Sequence, residues 1–244
     1  MEDFSNFKEW VLAQPEYLDL FTKFNSKPIS IFLGGSRTNQ ILVNDHSDYD
    51  LICILDGNYR FLENNIFKNK YNNASVHVYC WSYKSLFDII LNEDSLKNTR
   101  LYQFFIYSFT EFDIYETEYG NLLKKFVKTN ETYLMEYGLY KLIDTGHFYI
   151  DRIIESNAPD CLGKPLSHIL SCYKNLCTKD QCSTQYDINL IKKVKNKQNI
   201  NEDEWNLIRK ICLRLDNFYQ NFNISKINSL RLCLLGWVNN YGNS

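Results

Sequence analysis

Two short apolar runs, "PISIFL" from Pro28 to Leu33 and "YDLICIL" from Tyr49 to Leu55, constrain this chain more than any other feature. Each is rich in isoleucine, too short for an ordinary helix, and bounded by turn-forming residues, so each predicts a strand buried in a mixed sheet. The first run leads into Gly34, Gly35 and Ser36, and the second opens on Asp48 and Asp50 with one residue between them. A third run, "SVHVYCW" from Ser75 to Trp81, alternates and predicts another strand, and "FDIYE" around Asp113 predicts an edge strand. Between the second and third strands, "DGNYRFLENNIFKNKYNN" has Asp-Gly and Asn-rich ends that predict turns around a loop. Ahead of the first strand, Phe4, Phe7, Trp10 and Val11 recur at helical spacing, with Pro15 separating two short helices. Ser82 stands where it would cap a helix carrying Leu86, Phe87 and Ile90.

From about Tyr119 onward the periodicity becomes helical and stays so, in segments such as "YLMEYGLYKLIDTGHFYIDRII" and "DEWNLIRKICLRLDNFYQNF". The expected fold class is α/β in the α+β sense, a small mixed sheet domain over residues 1–118 followed by a helical bundle over 119–244, with an active cleft between them. Hydrophobic residues at 45% and aromatics at 16% fit an ordered protein rather than a disordered one. The formal net charge of -2 excludes a general positive field that would draw the chain onto nucleic acid or anionic lipid. An acidic N-terminus, with no apolar run near the roughly 18 residues that span a bilayer, predicts a cytoplasmic protein with no membrane partner. Of the 8 cysteines, none forms a Cys-x-x-Cys pair, so most read as buried thiols. The grouping His168, Cys172, Cys177 and Cys182 leaves zinc as the minor alternative.

The chemistry resides in the segment joining the first two strands. Glycines after a strand let the backbone approach a ligand, Ser36 can cap a helix beginning there, and free amides at such a start attract phosphate. Arg37 could add a bidentate phosphate contact. Gly-Gly-Ser is also an ordinary turn when it stands alone. On a strand, Asp48 and Asp50 would present two carboxylates to one face, a costly arrangement unless hard divalent cations neutralise it. The other reading of "NDHSDYD" is a solvated Asp-rich turn.

Taken together, Gly35 and Ser36 followed at close spacing by Asp48, Asp50 and Leu51, with Phe32 and Leu33 as apolar lead-in, resemble the signature of the DNA polymerase β-like nucleotidyltransferase superfamily. "SDYDL" looks like the small bacterial and phage-type members. The resemblance covers residues 28–55 directly and the sheet to about residue 115 more loosely. It implies transfer of a nucleoside monophosphate from a nucleoside triphosphate, ATP by preference, to an acceptor hydroxyl on protein, RNA or a small molecule, with release of pyrophosphate. It implies Mg2+ or Mn2+ held by Asp48 and Asp50, and a triphosphate held by Gly34, Gly35, Ser36 and Arg37.

The family's third carboxylate, on a later strand, is where this chain departs. The corresponding position on "SVHVYCW" is His77, able to ligate a metal, to act as a base near neutrality, or to be a strand histidine without a catalytic part. Asp113 is the alternative third carboxylate. Lys84, and Lys141, Lys164 and Lys174 in the helical part, are the further cations such a site could recruit, although a solvated helix face explains lysines equally well. The missing carboxylate also leaves room for a nucleotide-binding pseudoenzyme or an antitoxin-like module acting on a protein partner.

Overall fold

The computed structural model describes residues 4–17, 28–38, 47–56, 62–64, 69–82, 113–177 and 185–225, together with isolated positions elsewhere. The chain divides into two compact units, one of Met1–Thr129 with Ser225–Ser244 and one of Asn130–Ile224. The fold is α+β: a mixed sheet in the first unit and helices throughout the second.

In the first unit, α1 (Phe4–Ala13) precedes β1 (Pro28–Gly34), a 3-10 turn (Gly35–Thr38), β2 (Tyr49–Leu55), β3 (Leu62–Asn64), β4 (Val76–Ser82), β5 (Asp113–Glu116) and α2 (Glu118–Thr129). The sheet runs β3-β4-β2-β1-β5, with β2 and β4 parallel and the other neighbours antiparallel. The central strands are the apolar runs of the sequence, because only strands covered on both faces can carry side chains that are apolar at nearly every position. On one face Ile31, Leu33, Tyr49, Leu51, Cys53, Val76, Val78 and Cys80 pack with Phe7 and Val11 of α1. Phe7 stacks on Tyr49 with ring centroids 4.4 Å apart, and Tyr71 meets Tyr49 edge-on at 5.3 Å, the offset and edge geometries that aromatic quadrupoles favour. The alternate residues Ser30, Phe32, Ile52, Ile54 and Tyr79 are buried on the opposite side.

Two connections depart from the sequence reading. The stretch expected to be loop between the second and third strands contains β3, three residues long, whose pairing with β4 could not be read from so short and polar a segment. Its end does follow the Asn-rich expectation: Asn72 and Asn73 adopt positive φ of 47° and 64°, and Tyr71 and Ala74 exchange backbone hydrogen bonds of 3.0 and 2.9 Å around them. The helix expected after Ser82 lies outside the described residues.

The helix α2 belongs with the sheet. Thr117 Oγ1 donates to the Ile29 carbonyl at 2.7 Å and accepts from the Gly120 amide at 3.2 Å, so one hydroxyl fastens the helix start to β1. Gly120 lies so close to β1 that a β-carbon there would stand 2.8 Å from the Ile29 carbonyl oxygen. In the second unit, α3 (Glu131–Glu155), α4 (Lys164–Cys177), α5 (Gln185–Lys195) and α6 (Glu202–Gln220) bury Leu139, Ile143, Ile150, Leu166, Ile169, Val194, Ile208 and Leu215. Asn201 caps α6 in a capping box, accepting from the Glu204 amide at 2.9 Å while Glu204 Oε2 accepts from the Asn201 amide at 3.0 Å. No helix among the described residues is long and apolar enough to cross a membrane.

Candidate functional site

Of the residues singled out from sequence, Gly34, Gly35, Asp48, Asp50 and His77 meet at the end of the sheet where β1 runs out and β2 begins. Antiparallel pairing sets Gly34 opposite Asp50, and parallel pairing sets Asp50 beside His77. Since side chains at paired positions share a face, Asp50 and His77 emerge on the same side, away from the α1 core that takes Tyr49, Leu51, Val76 and Val78. Asp48 lies just ahead of β2, and its Oδ2 stands 3.8 Å from His77 Nε2. The Tyr49 amide donates to the Ser75 carbonyl at 2.9 Å, which carries the β2–β4 register back to the residue following Asp48. Asp48 is 51% exposed and His77 25%, so solvent reaches this edge of the sheet.

The glycine turn closes directly over the second carboxylate. Gly35 has a φ of 70°, in the left-handed region that side chains rarely adopt. A β-carbon at Gly35 would overlap the Asp50 carboxylate oxygen and come within 2.8 Å of Cγ and 3.0 Å of Cβ. Both properties require glycine here: the conformation, and the space given over to Asp50. The turn is a single 3-10 turn that opens at Gly35 itself, so the described residues do not include an α-helix capped by Ser36. The turn supplies backbone close to Asp50.

Arg37 has a role that the sequence did not disclose. Its Nε donates to the Ser47 carbonyl at 2.9 Å, and its guanidinium lies 4.2 Å from the centroid of the Tyr49 ring. Because the Tyr49 ring belongs to the α1 face, these contacts put Arg37 on the side of β2 opposite Asp50, where it fastens the chain bearing Asp48 to the strand. Of the other sequence candidates, Lys84 lies outside the described residues, as does the Asp113 side chain on β5. Lys164 is exposed at the first position of α4 in the second unit. Lys141 is buried there over the rings of Tyr137 and Tyr140, at 5.7 and 5.2 Å, and Lys174 pairs with Asp187 at 3.0 Å.

The histidine and cysteine grouping of α4 divides between core and surface. His168 and Cys172 are buried, Cys177 is exposed, and Cys182 lies outside the described residues. Burial, reinforced by the charges of Lys164 and Lys195, pushes the His168 pKa down to about 4. In the sheet, Cys53 and Cys80 are register partners on β2 and β4, and a hydrogen bond donated by the Cys53 thiol to Cys80, together with burial, holds that thiol well above its ordinary range. A cluster of potential metal ligands that sequence reasoning passed over is His147, Asp151 and Asp216. The i, i+4 pair His147 and Asp151 was legible in "GHFYID", but the third member comes from a different helix.

No family model and no curated protein matches the chain. Among solved structures, a nucleotidyltransferase-like protein from Exiguobacterium sibiricum 255-15 is similar to it at 14% identity, over 88% of this chain and 76% of that one, with a TM-score of 0.31. So distant a likeness leaves any reading of function to the residues of the site.

Proposed function

We propose that the protein is a nucleotidyltransferase, moving a nucleoside monophosphate from a nucleoside triphosphate to an acceptor hydroxyl. The observation that carries this reading is the packing of Gly35 against Asp50, with Asp48 and His77 on the same partly exposed edge of the sheet. Such an edge offers a backbone cradle with no side chain in the way, and next to it carboxylates that repel one another unless a cation neutralises them.

In the reaction proposed, the acceptor oxygen bonds to the α-phosphorus, the bond from that phosphorus to the bridging oxygen of the β-phosphate breaks, and pyrophosphate leaves with the electron pair. The acceptor proton passes to a base, for which His77 is the nearest imidazole to Asp48 described. The two carboxylates suit a hard divalent cation, with Asp48 open to solvent. Asp48 and Asp50 would hold Mg2+ or Mn2+, which when bound supplies charge neutralisation at the phosphates. Gly34, Gly35 and Ser36 form the phosphate-side wall, and Arg37 keeps Asp48 in place from behind the strand. ATP is the donor we favour, the acceptor being a protein, RNA or small-molecule hydroxyl, and Lys84 is a further candidate for a phosphate contact.

The test is incubation of the purified chain with each α-labelled nucleoside triphosphate, Mg2+ or Mn2+, and cell lysate, beside the Asp48→Asn/Asp50→Asn double variant. Label should enter a macromolecule or small molecule with the wild type and not with the variant. Equal incorporation by both proteins, or none by either while the folded wild type binds no nucleotide, overturns the reading.

A further inference from the structure

The helical unit contains a second place where charge is arranged around a histidine, independent of the proposed nucleotide site. The helices α3 and α6 run antiparallel along a polar seam. Tyr219 Oη donates to Asp144 Oδ1 at 2.7 Å, His147 Nε2 stands 3.1 Å from Asp216 Oδ1, and Arg209 donates to Asn157 Oδ1 at 2.7 Å. At the middle rung, His147 also meets a carboxylate through its other nitrogen, with Nδ1 3.0 Å from Asp151 Oδ2.

A neutral imidazole has one N–H and one lone pair, so it can satisfy only one of two flanking carboxylates. The rung therefore sets a ring lone pair and two carboxylates, drawn from two helices, within reach of one cation. We propose that His147, Asp151 and Asp216 bind a divalent cation of the zinc class, which staples α3 to α6.

Three observations support the metal. One ligand atom from each residue lies within 4.8 Å of the other two. A zinc ion with bonds of about 2.0–2.1 Å sets its ligand atoms roughly 3.4 Å apart, so side-chain rotation alone must close the set. The three side chains have that freedom at their tips, being 26%, 49% and 35% exposed, while their backbones are fixed by two packed helices. Finally, the donor set has a chemical preference: two carboxylates balance the 2+ charge, and an imidazole favours zinc, cobalt or nickel over magnesium. Two ligands one helical turn apart on α3 with the third from α6 leave a coordination position for water, and the Tyr219 ring, 4.9 Å from His147, covers one flank.

The test uses the full chain after chelator treatment, in the Asp48→Asn/Asp50→Asn background so that the sheet site does not contribute. Titration calorimetry with ZnCl2 and with MgCl2 should show one zinc-selective site and a zinc-dependent rise in Tm. Replacing His147→Gln, or Asp216→Asn as a second variant should the first misfold, should weaken zinc binding by at least about tenfold and abolish the rise in Tm. Cobalt in place of zinc should give d–d bands without sulfur charge-transfer absorption. Zinc binding unchanged in both folded variants, no zinc binding at all, or sulfur charge-transfer bands that assign the ion to cysteines would each overturn the proposal.

Discussion

The left-handed turn at Gly35 packs against the carboxylate of Asp50, the residue paired with its neighbour Gly34 across the β1–β2 ladder. Gly35→Ala should therefore be far more damaging than an ordinary surface substitution. It meets a backbone penalty of roughly 1–2 kcal/mol for left-handed φ and must also displace Asp50. We expect a folded protein of lower urea midpoint in which nucleotidyl transfer is lost. A fully active Gly35→Ala variant would detach the turn from the site.

His77 stands where the resemblance places a third carboxylate. If it serves as a ligand or base, His77→Ala should lower transfer by about 100-fold or more, within the range typical of a lost acid–base group, while the melting temperature shifts little for so partly exposed a side chain. His77→Asp should retain part of the activity with Mg2+ as metal. An unchanged rate in His77→Ala would leave Asp48 and Asp50 as the site and return His77 to the strand.

His168 gives the helical unit a calculable acid response. Its pKa is near 4 when folded against an unfolded value near 6.5, because burial beside Lys164 and Lys195 disfavours the charged ring. Below about pH 6.5 the unfolded chain takes up a proton that the folded chain refuses, so stability falls as pH drops through that window and levels off near pH 4. The full span is of the order of 3 kcal/mol at 1.36 kcal/mol per unit. Urea denaturation across that window should show the slope, and His168→Gln should flatten it. An identical slope in the variant would assign the acid response to other groups.

The capping box at the start of α6 permits a local test of the helical unit. Asn201→Ala removes the acceptor for the Glu204 amide and should cost about 1 kcal/mol, whereas Asn201→Asp or Asn201→Ser should cost much less. Chemical denaturation of the three variants would show whether the ordering holds.

The strands, the turn at Asn72 and Asn73 and the helical second half were legible in the sequence because each depends on local rules: side-chain alternation, turn chemistry and 3.6-residue periodicity. β3 was not legible, since a three-residue strand is defined by the partner it pairs with. The contacts of Arg37 were not legible for a related reason. A phosphate contact and a cation over an aromatic ring place the same demand on the residue type, and only the position of Tyr49 shows which contact the side chain makes.

The sequence by itself determined which residues could do chemistry: glycines beside an acidic pair, set between apolar strands, impose a cost of strain and charge that needs a reason. Only the tertiary structure decided which of them meet. Strand register brought His77 to Asp50 and Gly34 opposite it, and helix pairing brought Asp216 to His147 across 69 residues. Register and helix pairing are set by the burial of whole faces, a sum over many residues that no short motif contains.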